Sequence, residues 1–197
     1  MKAAVYEKYG PPEVVTIKEV DKPSPKPDEV LLKVHACTVN RTDAGFRSAI
    51  YFVSRFFSGL FHPKQQILGC DFAGVIEEVG SNVVDLQIGD KIFGFNDQHF
   101  GGHAEYMTIS KNDAFAHIPP SAGFAQAAAL SEGGHYALSN IRAAKVSPGQ
   151  DVMVYGATGA IGSAAVQIAK HFGAKGAAVA NTKNIELVKN LGADEMQ

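Results

Sequence analysis

The sequence predicts an α/β chain in two parts: a compact β barrel or sandwich, then the start of a doubly wound domain. Three observations carry that prediction. Up to about residue 120, short runs rich in β-branched and aromatic residues alternate with turn-forming residues. Past Pro119-Pro120 the text becomes alanine-rich and helical in period. Residues 152–162 then read as a buried strand, a glycine turn and a helix start in immediate succession.

The elements follow in order. Strands are expected at residues 14–17, 29–39, 72–79, 91–95 and 104–109. Gly80-Ser81-Asn82 and Gly89-Asp90 separate strands as turns, and Pro23-Ser24-Pro25-Lys26-Pro27 is a stiff extended connector. Two helices are expected at 125–130 and 136–144, and residues 147–151 turn into the strand at Val152. After the glycine turn, Ile161, Ala164, Ala165, Ile168, Ala169 and Phe172 recur at helical spacing, with Gly173 as C-cap. A strand at 177–180 follows. The next helix, capped by Thr182, carries Ile185, Val188 and Leu191 on its apolar face and stops at Gly192. That makes a βαβα half-unit. Gln197 comes only 35 residues after Gly162, whereas a complete domain of this kind has a sheet of about six strands, so the expectation is a domain cut short.

Composition narrows the function classes. With 46% hydrophobic and 19% charged residues the chain can bury a sizeable core and is no disordered segment. Its net charge of −2 gives no electrostatic reason to expect nucleic acid or an anionic membrane as partner, and a small-molecule substrate is expected instead. Two cysteines, Cys37 and Cys70, cannot make a disulfide framework, and a reducing cytoplasm is expected. The start has no signal-peptide core, and no apolar run approaches the ~18 to 20 residues that span a bilayer.

The glycine turn points to a dinucleotide. The usual Gly-x-Gly-x-x-Gly register falls on Ala157-Thr158-Gly159-Ala160-Ile161-Gly162, with alanine in the first place and an extra Gly156 before it. Glycines let backbone N–H groups approach a pyrophosphate, and the helix N-terminus favours its negative charge. An NAD-selective site commonly places an acid about 20 residues further on, to hold the ribose 2′-OH. Here the residue is Asn181, followed by Thr182 and Lys183. With no carboxylate to repel it and a lysine to receive it, a 2′-phosphate is favoured, so NADPH is expected and NAD is possible.

Taken block by block, the chain resembles the medium-chain dehydrogenase/reductase superfamily. The blocks are Met1-Lys2-Ala3-Ala4-Val5-Tyr6, Val39-Asn40-Arg41-Thr42-Asp43, Ile67-Leu68-Gly69-Cys70-Asp71-Phe72-Ala73-Gly74, Gly89-Asp90-Lys91-Ile92-Phe93-Gly94 and Gly102-His103-Ala104-Glu105-Tyr106. The glycine turn and Leu191-Gly192-Ala193-Asp194 complete them. The resemblance implies an α/β architecture: a GroES-like β-barrel catalytic domain over 1–122, then an incomplete Rossmann dinucleotide-binding domain over 123–197. Zinc-dependent members carry a cysteine and a Gly-His-Glu where this chain has Asn40, Cys70 and Asp71. The four-cysteine loop of structural zinc is absent too. Cys70, Asp71 and Glu132 offer donor atoms, but catalytic zinc needs three well-placed ligands and an open position, and no metal is expected.

The chain therefore looks like the zinc-independent quinone oxidoreductase branch, which reduces quinones or the carbon–carbon double bond of enones. In that reading Asn40 donates to a substrate oxygen and Asp43 orients neighbouring groups; otherwise both only shape a barrel turn. His135 or Tyr136 is placed to supply a proton to the reduced substrate, although a satisfied core histidine is the plainer reading of His135. The aromatic run 49–57, with Tyr51, Phe52 and Phe56, lines the substrate cleft in relatives and suits a flat apolar substrate. Two alternatives stay open: a truncated, non-catalytic cofactor-binding or assembly module, and an alcohol or aldehyde dehydrogenase of the same superfamily. Homo-oligomers are possible, though the Rossmann edge that pairs family dimers is expected to be missing.

Overall fold

The computed structural model describes the backbone of residues 1–197 and every side chain except that of residue 54. The chain separates into two compact units, Met1–Ala129 and Leu130–Gln197.

In the first unit, β1 (Lys2–Tyr6) and β2 (Val15–Glu19) form an antiparallel pair in which Ala4 faces Ile17. The connection carries a short 3₁₀ turn at Pro12–Val14. Next come β3 (Glu29–Ala36), α1 (Arg41–Ser48), a 3₁₀ turn at Phe52–Ser54, the single turn α2 (Arg55–Ser58) and β4 (Asp71–Val79). β5 (Lys91–Phe95), β6 (Tyr106–Ser110) and β7 (Ala114–His117) complete an antiparallel sheet in the order β6-β3-β4-β5-β7. Backbone bridges from Ala3 to Ala104 and from Val5 to Ile67 tie the small sheet to the large one. Val30, Leu32, Phe72, Ile76, Ile92 and Ile109, all from the large sheet, form a core cluster of the unit. Burying that apolar surface is the main favourable term for the unit.

Several elements differ from expectation. The third strand stops at Ala36 rather than Val39 because register shifts at Leu31/Leu32 and Val34/Ala36 bend it away from β4. That bend turns residues 37–40 out of the sheet and toward the candidate site. β1 and β7 lie outside the expected strands; β7 is short and mostly exposed, without an alternating apolar signal. The two helices expected at 125–130 and 136–144 are one, α3 (Phe124–Ala143). The glycine pair Gly133-Gly134 costs about 1 kcal/mol per residue against alanine. It also permits contact: a Cβ on Gly133 would lie 2.8 Å from the carbonyl oxygen of Ala160, so the helix packs there where a larger residue could not.

The second unit holds β8 (Asp151–Tyr155), α4 (Ala160–His171), β9 (Lys175–Val179), a 3₁₀ turn at Thr182–Asn184, α5 (Ile185–Asn190) and β10 (Glu195–Met196). The three strands are parallel in the order β10-β9-β8 over a small core of Val154, Val166, Ala178 and Val188. Gly173 and Gly192 end α4 and α5 with positive φ, as expected of C-terminal glycines. Thr182 does not cap its helix; it opens the 3₁₀ turn, and no side chain caps α5. β9 also starts two residues earlier than expected, at Lys175. The Val152 strand is not buried. Met153 and Tyr155 are 65% and 85% exposed, because β8 pairs only with β9 among the described strands and covers only its Val154 face.

Buried Tyr6 gives the barrel an alkaline limit. Burial, with Tyr9 and Asp43 nearby, pushes its phenol from 10.0 up to about 12. The unfolded chain therefore loses this proton first, so the contribution is intact below pH 10 and is lost as pH rises from 10 to about 12. Chemical denaturation across that window should show falling stability, and Tyr6→Phe should flatten the decline. An equal decline in the variant would remove Tyr6 as its cause.

Candidate active site

In the first unit three of the sequence blocks converge on a polar knot. Asn40 is the N-cap of α1, and Asn40 with Asp43 forms a reciprocal capping box. The Asp43 N–H donates to Asn40 Oδ1 at 3.1 Å, and the Asn40 N–H donates to Asp43 Oδ2 at 3.0 Å. Asp43 is buried, and its Oδ1 also accepts the Gly69 N–H at 2.9 Å. Gly69 has φ +93°, and a Cβ there would lie 2.6 Å from His103 N and 2.8 Å from Cys37 Sγ. Only glycine fits that crossing.

The Asn40 amide faces Cys70 and Asp71. Its Nδ2 donates to Cys70 Sγ and to Asp71 Oδ2, both at 3.1 Å. The capping bond to Oδ1 settles which end of the amide points there. Asp71 Oδ2 also accepts the Thr38 hydroxyl, and the Cys37 thiol donates to the Asp71 carbonyl at 2.8 Å. His103 Nε2 lies 2.8 Å from the Thr38 carbonyl and 3.8 Å from Asp43 Oδ2. Burial, reinforced by the Asp43 and Asp71 carboxylates and by Cys70, pushes the Cys37 thiol far up, so it stays protonated. A cavity of about 680 Å³ reaches the knot at Cys37, Asp43 and His103; most of its other walls, including Ala3, Ile17 and Val34, are apolar.

Tyr51, Phe52 and Phe56 lie elsewhere on this unit, all exposed, with the Phe52 and Phe56 rings edge-on at 5.7 Å.

In the second unit the turn after β8 divides the labour among its residues. Gly156, the extra glycine, takes the positive φ of +76°, and Ala157 is fully buried. The N–H groups of Gly156 and Ala157 both donate to the Val179 carbonyl, which locks the turn onto β9. Thr158 and Gly159 are exposed, and no side chain caps α4 at Gly159. Among the described residues no side-chain cap is made to the first-turn N–H groups of Ala160, Ile161 and Gly162, as an anion site requires. A Cβ on Gly162 would sit 2.2 Å from the Gly156 carbonyl oxygen, so the third glycine is what allows the helix to approach the strand. Tyr155 pairs with Val179, so Asn181, Thr182 and Lys183 emerge at the same carboxyl edge as the turn, all exposed. Dinucleotides bind at that edge in doubly wound sheets.

His135 and Tyr136 sit on α3 with their rings edge-on at 5.3 Å. His135 is exposed, which overturns its reading as a core histidine: helical spacing puts it on the side of α3 opposite the buried Gly133 and Ala137. Glu132, half-buried, belongs to this unit as well. Sequence reasoning gave no role to Thr38 and none to His103 beyond its block. Neither has a local signal; both act through partners more than 30 residues away.

Comparison with known proteins identifies the family. The model of the alcohol dehydrogenase GroES-like domain matches residues 26–136. The chain belongs to that family, within the medium-chain dehydrogenase/reductase superfamily and on its quinone oxidoreductase-like side. It is 36% identical to the NADPH-dependent alkenal/one oxidoreductase, chloroplastic, of Arabidopsis thaliana, covering 98% of this chain and 51% of that protein. It is also 36% identical to the quinone oxidoreductase of Homo sapiens, covering 100% of this chain and 58% of that one. The solved quinone oxidoreductase from Coxiella burnetii superposes with a TM-score of 0.88 at 30% identity, over 100% of this chain and 62% of that one. The CurK enoyl reductase gives 0.89 at 26%, over 99% and 58%. The chain thus spans about half the length of the curated relatives it matches.

Proposed function

We propose that this protein is an NADPH-dependent oxidoreductase that delivers hydride to the electron-poor carbon of an enone or quinone without zinc, in a reducing cytoplasm. The observation that carries it is the uncapped, exposed first turn of α4, held against β8 by the Gly156–Gly162 contact. The names of the relatives, among them a 2-methylene-furan-3-one reductase of Solanum lycopersicum at 36% identity, support the substrate class.

The nicotinamide, when bound, supplies the hydride. The chain's own residues do the rest. The first-turn N–H groups of α4 receive the pyrophosphate, and Asn181, Thr182 and Lys183 receive the 2′-phosphate. Tyr51, Phe52 and Phe56 offer apolar surface to a flat substrate, and His135 or Tyr136 supplies the proton. Asn40 and Asp43 hold the polar knot of the first unit in shape. Asn40's amide is already engaged at both ends, so its role is positioning, with donation to a substrate oxygen only if it exchanges a partner.

The proposal of a zinc-independent reaction is supported by how two of the donors the sequence offers are bonded. Cys70 Sγ and Asp71 Oδ2 already accept hydrogen bonds from Asn40, and the adjacent Cys37 is held as a thiol rather than the thiolate that ligates metal.

Titration of the protein with NADPH and NADH tests the reading, followed by turnover of quinones and enones with and without a chelator. Saturable binding that favours NADPH, with chelator-insensitive turnover, is expected. Absence of binding by either, or activity with alcohols that a chelator abolishes, would overturn it. Lys183→Glu is expected to weaken NADPH about tenfold relative to NADH. An unchanged ratio would leave Lys183 as a solvated surface lysine.

A further inference from the structure

The two adjacent glycines of α3 are not alike. Both lie inside the helix, where glycine is weaker than alanine. Gly133 has a packing reason: its Cβ would lie 2.8 Å from the Ala160 carbonyl oxygen and 2.9 Å from the carbon that bears it. Gly134 has none. A Cβ there would meet no atom of the described residues within 4 Å, and its φ lies outside the left-handed region. Neither packing nor backbone conformation asks for glycine at 134. The remaining reason for a glycine is the close approach of something else to the backbone.

Its place in the second unit points to what approaches. Gly133 packs on Ala160, the first residue of α4, while Ile141 shares a core cluster with Ala169 near the other end of α4 and with Ala174. The two helices therefore run in the same direction, and the part of α3 level with Gly133 stands beside the uncapped first turn of α4. Val152 of β8 packs against the same cluster, so α3 lies on the β8 side of that turn. Asn181, Thr182 and Lys183 follow β9, on the other side. One helical turn to either side of Gly134 are Leu130, exposed, and Leu138, half-buried. Without a side chain at 134 the helix surface between them is flat.

We propose that Gly134 is the point at which the nicotinamide half of the dinucleotide passes α3, and that its missing side chain sets how closely that half lies against the helix. The inference rests on the dinucleotide reading of the α4 turn. A pyrophosphate held at a helix N-terminus has two nucleoside arms. The 2′-phosphate arm turns toward Lys183 beside β9, so the other arm leaves on the β8 side, where α3 stands. A side chain at 134 would project into its path, although it would disturb no atom of the protein.

Stability and binding should therefore move in opposite directions. Gly134→Ala should raise the melting temperature by about 3 °C, because alanine is the better helix former and has room. Calorimetric titration should show NADPH binding weakened about threefold in Gly134→Ala and about thirtyfold in Gly134→Leu. Binding of 2′-phosphoadenosine 5′-diphosphate, which has the same pyrophosphate and no nicotinamide arm, should be unchanged in both. Gly45→Ala is the control, since Gly45 lies inside α1 and its Cβ would also meet nothing within 4 Å. It should raise the melting temperature similarly and leave both ligands unaffected. Unaltered NADPH affinity in Gly134→Leu would overturn the proposal and leave the dinucleotide reading standing. Equal weakening of both ligands would also overturn it, by tracing the loss to the α4 turn. An unaltered protein that binds neither ligand would overturn both readings together.

Discussion

Gly162→Val is expected to lower the stability of the protein by about 3 kcal/mol and to abolish dinucleotide binding. The cause is geometric. A Cβ at this position would lie 2.2 Å from the Gly156 carbonyl oxygen and 2.9 Å from Ala157 Cα, both backbone atoms that cannot rotate away. To relieve the overlap α4 must move off β8, and the first-turn N–H groups leave the carboxyl edge of the sheet with it. Gly159→Ala is the control in the same turn. Its φ of −75° suits any residue, and its new Cβ would meet only the Gly156 carbonyl oxygen, at 3.6 Å. That variant should stay within about 0.5 kcal/mol of the parent. Thermal melts and NADPH titrations of the two variants decide the matter; equal behaviour would mean the turn is not close-packed as described.

Asp43→Ala is the second large effect, expected at about 3 kcal/mol. Each buried donor deprived of its acceptor costs roughly 1 to 3 kcal/mol, and this change strands two, the N–H groups of Asn40 and Gly69. Asn40→Ala should cost less, about 1 to 2 kcal/mol, because an N-cap alone is worth about 1 and Asp71 keeps its Thr38 hydroxyl. The order separates the residue that ties α1 to the Gly69 segment from the one that caps the helix. Should denaturant midpoints show Asn40→Ala as the more damaging change, Asp43 would not be the tie between α1 and the Gly69 segment.

Local chemistry explains which features were legible before any coordinates. The glycine turn reads in the sequence because all its determinants lie within seven residues, and each does what its type permits: Gly156 takes the positive φ, Ala157 is buried, Gly162 allows close approach. The capping box is legible as Asn-x-x-Asp for the same reason, although the sequence left open whether it served substrate or structure. The polar knot was not legible. Thr38, Asn40, Asp43, Gly69, Asp71 and His103 are brought together by the bulged end of β3 and by pairing across the sheet, which leave no short-range trace. The single helix at 124–143 looks like two in the sequence because Gly133-Gly134 is a local breaker, kept helical by packing the sequence does not display. The strand at Val152 was read as buried from apolar content alone. Apolar composition reports what a strand is able to bury, whereas exposure of Met153 and Tyr155 reports what lies against it.

The hydrogen bonding around the two cysteines has a consequence for survival under oxidative stress. Peroxides attack the thiolate, and the thiol reacts far more slowly. Cys37 is held protonated, its S–H spent on the Asp71 carbonyl, and buried Cys70 has a lone pair engaged by the Asn40 amide. Cys37 is thereby kept out of alkylation and oxidation to sulfenic acid while the barrel stays folded, and Cys70 is shielded by its burial.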